Sequence, residues 1–402
     1  MKKFFIFLTY FLLIFTNISY ADEILELEDL ENNSIFETNV SISKSPQIFS
    51  KNVIVIDRKT LIPLYEKCSY EKVPMASTTK ILTCILALEN SNFDEKVTIS
   101  KEASNIHGST IGLKANTEIL MKDLIYGLML RSGNDCAIAI AEHISGNIDN
   151  FSKLMNQKAK ELGLSNSNFC TPHGLDSENH FTTAYDLAIL TNYALNNNEF
   201  KKIVSTKKCI ITINGTSREI CNTHELLGNT NGVYGVKTGF TFGAGRCLVT
   251  SCKRNNLDII IVVLGADTKN IRTKDTLKLI DYIYSNYSYF DISTIINENF
   301  NKFISIFNQN VYLYKTKTFP ILSLEPFPFD EIPLSKEEIL KLNTKIYCES
   351  AFSSNNQINS KVGTFYLYKD DKLIGETSII LKNQIIPNSW KHYFNLIISN
   401  FK

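Results

Sequence analysis

The hydrophobic and polar positions of the chain follow strand-like patterns on both sides of a long helical region. Residues 53–56 form a continuous apolar run that ends at Asp57, which is typical of a buried strand. Residues 58–60 then predict a turn, and residues 61–65 a returning strand. From 77 to 195, apolar residues recur with helical spacing over several segments of ten or more residues, which predicts a cluster of helices.

Strand patterns return after this cluster. A helix is then expected from about Thr273 to Asn286. Because strands lie at both ends with helices between them, we expect one sheet covered by an internally inserted helical cluster. The predicted strands of this second group are a hairpin at 210–220 around Asn214-Gly215 and two strands at 246–251 and 257–264.

The pattern changes again after Tyr287. Short strand-like runs are separated there by Asn, Pro, Asp and Gly, and residues 369–372 (Lys-Asp-Asp-Lys) predict a hairpin turn. We therefore expect a second, all-β domain over residues 287–383. The predicted strands of this domain are 311–315, 345–349, 363–368 and 376–381.

The first residues have the pattern of a secretory signal peptide. Lys2 and Lys3 precede an apolar run at 4–15, and small residues, Ser19 and Ala21, stand at the −3 and −1 positions of a cleavage site. The alternative is an uncleaved anchor helix, but the apolar run is shorter than the ~20 residues that a membrane span needs. We expect a signal peptide at 1–21, followed by an acidic and then Asn/Ser-rich N-terminal arm at 22–45.

The last residues, 387–402, predict an amphipathic helix that begins with Pro387. It is too short to span a bilayer but can lie in the membrane interface. The alternative is a helix that packs against its own domain. The apolar positions of one face are Trp390, Tyr393, Phe394, Ile397, Ile398 and Phe401, and the polar positions of the other are Lys391, Asn395 and Lys402.

Composition and charge exclude several classes of protein. The chain has 402 residues, 44% of them hydrophobic, so it can build more than one core and is not globally disordered. With 42 basic and 41 acidic residues, the net charge of +1 gives no electrostatic footprint for nucleic acid. We therefore expect no nucleic-acid partner.

Nine cysteines leave at least one unpaired. Cys84, Cys136 and Cys247 lie in apolar runs, where a free thiol behaves as a small buried hydrophobe. Cys209 and Cys221 flank the predicted hairpin and could form a disulfide if its loop has three residues.

The first candidate for chemistry is Ser77-Thr78-Thr79-Lys80, which opens an apolar helical run. Ser and Lys at i and i+3 share one helix face, so the amine can approach the hydroxyl. A neutral Lys80 can then take the hydroxyl proton and make Ser77 nucleophilic, provided that burial or a second cation lowers the lysine pKa. Two other matches to this spacing, at 41–44 and 205–208, open no apolar helix.

Two further motifs follow. In Ser132-Gly133-Asn134, the hydroxyl can relay a proton and the Asn amide can hold a substrate carbonyl and orient Lys80, although a plain polar loop or helix cap has the same sequence. In Lys237-Thr238-Gly239, a fixed cation beside a hydroxyl suits a carboxylate, and the glycine lets a ligand lie against the strand. The backbone N–H groups of Ser77 and Phe240 could form an oxyanion hole.

These motifs, in this order, resemble the signature of serine β-lactamases and penicillin-binding proteins. The wider sequence resembles the low-molecular-mass penicillin-binding proteins, which are serine-type D-alanyl-D-alanine carboxypeptidases. The resemblance covers roughly residues 46 to 285. The segments that carry it are 74–80 (PMASTTK), 130–135 (LRSGND), 171–175 (TPHGL), and 235–241 (GVKTGFT) with Ala244-Gly245.

The resemblance implies an α/β fold of the penicillin-binding transpeptidase and β-lactamase type, with an antiparallel sheet covered by helices. It implies a peptidase domain at 46–286, and a small β domain and a C-terminal amphipathic helix also occur in that family. The implied location is the outer face of the bacterial cytoplasmic membrane or the cell wall. The implied partners are peptidoglycan stem peptides ending in D-Ala-D-Ala, β-lactam inhibitors and the membrane surface.

The resemblance also implies a role for each motif residue, and no metal or organic cofactor. Ser77 is the expected acylated nucleophile, Lys80 its general base and Ser132 the proton relay. The expected substrate-binding residues are Asn134, Lys237, Thr238, Gly239 and Phe240, the last through its backbone N–H.

Other functions stay open. A class A β-lactamase deacylates with a Glu-activated water, and the nearest candidate here, Glu161, is predicted at a helix end. An endopeptidase or transpeptidase would use the same site, and a non-catalytic wall-binding protein would rely on the β domain. His173, with Asp176, Glu178 and His180 nearby, suggests a metal site, but these residues lack regular ligand spacing and we expect a structural loop histidine.

Overall fold

The computed structural model describes residues 24–26, 45–313, 316 and 318–387. The expected signal peptide, nearly all of the N-terminal arm and the C-terminal helix beyond Pro387 lie outside these residues and stay predictions. The described residues fall into two compact units. The large unit contains residues 45–290 and 332–336, and the small unit contains 24–26, 291–331 and 337–387.

The helices and strands are numbered along the chain. The strands are β1 (Ile24–Glu26), β2 (Asn52–Asp57), β3 (Pro63–Lys67), β4 (Lys96–Thr98), β5 (Glu118–Leu120), β6 (Lys208–Ile213), β7 (Thr216–Cys221), β8 (Val233–Thr241), β9 (Gly245–Arg254), β10 (Leu257–Ala266), β11 (Tyr287–Asp291), β12 (Tyr312–Leu313), β13 (Leu322–Leu324), β14 (Glu331–Ser335), β15 (Leu342–Glu349), β16 (Ala351–Phe352), β17 (Lys361–Lys369) and β18 (Lys372–Leu381). The helices are α1 (Lys80–Asn90), α2 (Lys101–Asn105), α3 (Met121–Leu130), α4 (Asn134–Ser145), α5 (Ile148–Glu161), α6 (Ala184–Leu195), α7 (Asn198–Val204), α8 (Lys269–Asn286), α9 (Ser293–Asn310) and α10 (Lys336–Ile339).

The large unit is built on an antiparallel sheet with the strand order β3-β2-β10-β9-β8. The apolar run of β2 is continuous because both faces of the sheet are covered. Ile54 and Ile56 face the core shared with the helical cluster, whereas Val53 and Val55 face a second core with Leu279 of α8. The predicted α/β fold class, with helices over an antiparallel sheet, is confirmed.

The prediction missed two features of the large unit. Strands β4 and β5 pair inside the helical region, but each has only three residues and buries one side chain, so neither leaves a periodic signal. Helix α8 begins at Lys269, not near 273, because the Thr268 hydroxyl caps it by accepting from the N–H of Ile271.

The hairpin of β6 and β7 rules out the suggested disulfide. Ile213 pairs with Thr216, so the loop has two residues, not three. Cys209 therefore lies opposite Ile220, while Cys221 lies opposite Lys208. A one-residue offset turns the two thiols to opposite faces of the ribbon, and all nine cysteines are free.

The small unit contains the expected β domain, but it also contains a long helix and is therefore not all-β. Its sheet has the strand order β1-β15-β17-β18-β13, and the predicted turn at 369–372 joins β17 to β18. However, the 18-residue helix α9 packs its Phe303 and Phe307 into the core. Several Asn residues between the apolar positions of α9 weaken its helical signal. Among the described residues, no helix is long and apolar enough to cross a bilayer.

Candidate active site

Ser77 and Lys80 lie at the junction of a short 3-10 helix (Ala76–Thr79) and α1. The Lys80 side chain is completely buried, and its Nζ lies 2.9 Å from Ser77 Oγ. It also contacts Asn134 Oδ1 at 2.8 Å and the backbone oxygen of His173 at 2.6 Å. Ser77 and Asn134 therefore both lie within hydrogen-bonding distance of the Lys80 amine.

The surroundings of Lys80 favour its neutral form. Burial lowers its pKa well below the ordinary value, and the positive charge of Lys237 lowers it further. A neutral amine has two hydrogens and one lone pair. Since Asn134 Oδ1 and the His173 carbonyl only accept, the two hydrogens go to them and the lone pair faces the Ser77 hydroxyl. This is the arrangement that a general base needs.

The second motif forms the loop between α3 and α4. Ser132 is buried and takes a left-handed conformation with φ of 62°. The Asn134 amide donates to His107 O at 2.8 Å, which fixes the orientation of its Oδ1 toward Lys80. The next residue, Asp135, had no predicted role, yet its buried carboxylate accepts hydrogen bonds from the backbone N–H groups of residues 111–113. Asp135 therefore anchors the segment 111–113 beside the loop that carries Asn134.

The third motif lies on the edge strand β8. Lys237 is buried, and both burial and the charge of Arg272 lower its pKa to about 7. Its Nζ donates to Thr238 O at 3.0 Å, and the Thr238 hydroxyl contacts Thr223 Oγ1 at 2.8 Å. A Cβ on Gly239 would lie 3.2 Å from Ser77 N, so glycine is what allows the strand to pass this close to Ser77.

Arg272 was not predicted because it lies on α8, far from any motif in the sequence. Its side chain is 4% exposed, and one guanidinium nitrogen lies 2.8 Å from Glu225 Oε1. Its charge acts on Lys237. Arg272 and Lys269 share the Glu225 carboxylate, so these three side chains carry one net positive charge that adds to that of Lys237.

The loop before α6 contacts both sides of the site. His173 supplies its carbonyl to Lys80, while Asp176 accepts hydrogen bonds from Thr241 Oγ1 at 2.6 Å and from Gly243 N at 3.0 Å. Gly174, with φ of 86°, passes so close that a Cβ there would overlap Ala76 O. The loop thus links the Ser77 turn to the far end of β8.

His173 and His180 are structural in this geometry. Burial lowers the pKa of His173 to about 3 and that of His180 to about 4, so both are neutral near pH 7. His180 Nδ1 accepts from Cys170 N, which leaves the proton on Nε2 facing Thr79 Oγ1 at 2.8 Å. The described part of the chain contains no group of three or more His, Cys, Asp or Glu side chains arranged to hold a metal ion.

Phe240 and Phe242 form an exposed aromatic rim, with side chains 43% and 98% exposed. The Arg246 guanidinium lies 3.7 Å from the centre of the Phe240 ring, which holds that ring in place. Glu161, the alternative deacylating residue, ends α5 and pairs with Lys158 at 3.3 Å on the helix surface.

Comparisons with known proteins point to one family. A family model described as D-alanyl-D-alanine carboxypeptidase matches residues 39–268. The chain is 32% identical over 342 residues to the D-alanyl-D-alanine carboxypeptidase DacF of Bacillus subtilis, a match that covers 84% of this chain and 86% of that protein. It is 35% identical over 251 residues to DacC of Escherichia coli, covering 60% of this chain and 62% of the relative.

Solved structures are similar as well. Penicillin binding protein 6B of Escherichia coli has a TM-score of 0.62 and 26% identity, covering 84% of this chain and 96% of that one. A mutant of the Streptomyces K15 DD-transpeptidase has a TM-score of 0.57 and 30% identity over 59% of this chain and 98% of its own. The carboxypeptidase DacD of Francisella tularensis, at a TM-score of 0.68 and 22% identity over 90% of this chain and all of its own, shares the fold.

Proposed function

The chain belongs to the D-alanyl-D-alanine carboxypeptidase family, and from this premise we propose that it removes the terminal D-alanine from peptidoglycan stem peptides through an acyl-enzyme on Ser77. The observation that carries this proposal is the environment of Lys80. Its amine lies 2.9 Å from Ser77 Oγ, with both of its hydrogens directed to other acceptors when it is neutral. A binding protein without catalysis has no need for such a base.

Acylation begins when Lys80 takes the Ser77 proton. The Ser77 oxygen then attacks the carbonyl carbon between the two D-alanines, and the N–H groups of Ser77 and Phe240 stabilise the resulting oxyanion. When the C–N bond breaks, Ser132 relays the proton from Lys80 to the departing amine of D-alanine. Asn134 holds the substrate carbonyl. The products of this half-reaction are free D-alanine and an ester on Ser77.

Deacylation reverses the proton path. Lys80 accepts a proton from water, the hydroxide attacks the ester carbonyl, and the proton returns to Ser77 Oγ as the C–O bond breaks. A β-lactam enters the same first step because its strained amide resembles the dipeptide. Its cleaved amine remains tethered, so the ester persists and the enzyme is inhibited.

The terminal carboxylate of the substrate binds to Lys237 and Thr238. Arg272, which is paired with Glu225, lowers the pKa of Lys237 through its charge. Gly239 leaves room for the peptide to lie along β8 beside Ser77. The charge of Lys237 also helps to keep Lys80 neutral, so substrate binding and base strength both depend on Lys237.

The cellular setting follows from the two chain ends. We infer that residues 1–21 direct export and that residues 387–402 attach the mature protein to the outer face of the cytoplasmic membrane. The peptidase domain of 46–286 then acts on the cell wall, and the domain of 287–383 connects it to the attachment segment.

Mass spectrometry of the purified mature chain with penicillin tests the activity directly. We expect one long-lived adduct on Ser77, its loss in Ser77→Ala, and release of D-alanine from a pentapeptide substrate. Rapid loss of the adduct with penicillin hydrolysis would indicate a β-lactamase instead. A cross-linked dimer as the better substrate would indicate an endopeptidase, and the absence of any adduct would favour a non-catalytic wall-binding protein.

A further inference from the structure

The small unit exposes large apolar side chains at the end of its sheet from which the C-terminal segment leaves. Phe319, Ile321, Ile358 and Ile386 are 56%, 59%, 51% and 49% exposed. Aliphatic and aromatic side chains grouped in this way mark an interaction surface more often than isolated ones do. We call these four residues the tail-proximal surface.

Hydrogen bonds fix the tail-proximal surface as one structure. The Asn383 amide donates to Phe319 O at 2.8 Å and accepts from Ile321 N at 2.7 Å. Ile386 N donates to Thr318 Oγ1 at 2.8 Å. Asn359, next to Ile358, donates its N–H to the final residue of β18. The exposed side chains are therefore held by ordered backbone.

The two stretches of sequence that carry three of these four residues have charge of one sign. About one residue in ten of the whole chain is acidic, yet residues 311–324 and 377–402 contain no Asp or Glu. An apolar surface whose neighbouring sequence carries lysine and no acidic residue complements an anionic lipid surface. The five lysines of these two stretches are Lys315, Lys317, Lys382, Lys391 and Lys402.

We propose that the tail-proximal surface inserts into the interface of an anionic bilayer, as a second membrane contact beside residues 388–402. A single weak anchor gives reversible binding, and a second contact makes attachment stable. The charge favours lipid as the occupant. This contact is separate from the peptidase reaction, so it can fail while D-alanine release is intact.

Vesicle binding by the full mature chain tests the proposal. In the variant Phe319→Gln, Ile321→Gln and Ile386→Gln, we expect the affinity for vesicles of equal phosphatidylglycerol and phosphatidylcholine to fall at least about tenfold. The matched control is Leu340→Gln with Leu373→Gln, which removes side chains 55% and 47% exposed at the opposite end of the same sheet. Unchanged binding by the first variant would overturn the proposal. Increased binding would overturn it as well, because it would show that the surface packs against the chain's own C-terminal segment and not against lipid.

A fluorescence measurement gives the answer even if the triple variant folds poorly. Trp390 is the only tryptophan, so Phe319→Trp in a Trp390→Phe chain carries one reporter at the surface. We expect brominated lipids to quench this reporter in bound protein and to leave a Leu340→Trp reporter unquenched. A Phe319→Trp signal that bound vesicles do not quench would overturn the proposal.

Discussion

The carboxylate of Asp176 accepts a hydrogen bond from the hydroxyl of Thr241 at 2.6 Å. The same loop offers the His173 carbonyl to Lys80 Nζ at 2.6 Å. The segment 173–176 therefore helps to position Lys80, the proposed base, on one side of the cleft. On the other side it positions the end of β8 beyond Phe240. Its effect on catalysis can be separated from its effect on folding because Asp176 is exposed.

Asp176→Asn should slow acylation by penicillin about tenfold, with little change in the affinity that precedes acylation. The neutral amide makes weaker hydrogen bonds than the carboxylate to Thr241 and Gly243, so the N–H of Phe240 is held less firmly when the oxyanion forms. Stopped-flow kinetics separates the two constants. Glu178→Gln, two residues away and also exposed, is the control. Equal acylation rates in the two variants would contradict a positioning role for Asp176.

Gly174→Ala should lower both stability and acylation. The new Cβ would overlap Ala76 O, next to Ser77, and the backbone has a φ of 86° that disfavours alanine. Gly146→Ala is the matched control because φ is 78° there and nothing lies within 4 Å. We expect the control to lose about 1 kcal/mol of unfolding free energy and to acylate normally. The idea fails if both variants acylate at the wild-type rate.

Arg272→Met should move the alkaline limb of kcat/KM to higher pH. Burial and Arg272 lower the Lys237 pKa to about 7, so Lys237 loses its charge, and its attraction for a carboxylate, as the pH rises through that value. Without Arg272 the pKa rises, and we expect a shift of about one pH unit. The control is Lys269→Met, which removes the exposed partner of the same Glu225 and should leave the alkaline limb in place. An unchanged limb in Arg272→Met would show that the Arg272 charge does not lower the Lys237 pKa.

His224→Asn should make stability less sensitive to acid. Burial, and then the charge of Arg272, lower the His224 pKa from 6.5 to about 4. The unfolded chain therefore binds a proton that the folded chain excludes, and stability is lost as the pH falls from above 6.5 toward 4. Between pH 7 and pH 5, His224 lowers the free energy of unfolding of the wild type by about 2 kcal/mol. Urea unfolding at both values should show a smaller loss in the variant, and identical losses would refute the assignment.

The central sheet, the Ser77–Lys80 pair and the contact of Asn134 with Lys80 could be predicted from signals in the sequence. The β2 run is apolar, the hydroxyl and amine of Ser77 and Lys80 share a helix face, and the motif order is specific. Asp176 and Arg272 could not be predicted in the same way. Each acts on residues that are distant in the sequence, and only the fold brings a loop before α6, or a helix after β10, to β8.

The errors have similar physical origins. Helix α9 is stabilised by burying Phe303 and Phe307, so tertiary packing overrides a weak local preference. The separation of Cys209 and Cys221 depends on a loop that is shorter by one residue than the suggested disulfide requires. Neither the burial of one helix face nor the register of one hairpin can be predicted from amino-acid composition.

The close passage of Gly239 beside Ser77 has a consequence for drug resistance. A rigid bicyclic antibiotic cannot bend to suit a narrower cleft, whereas a flexible peptide has more ways to adjust. A methyl group at position 239 would lie 3.2 Å from both Ser77 N and Ala76 Cβ, closer than ordinary contacts allow. One codon change at this glycine would therefore shift the Ser77 turn or β8 by a few tenths of an ångström, and the stiffer ligand has less freedom to follow such a shift.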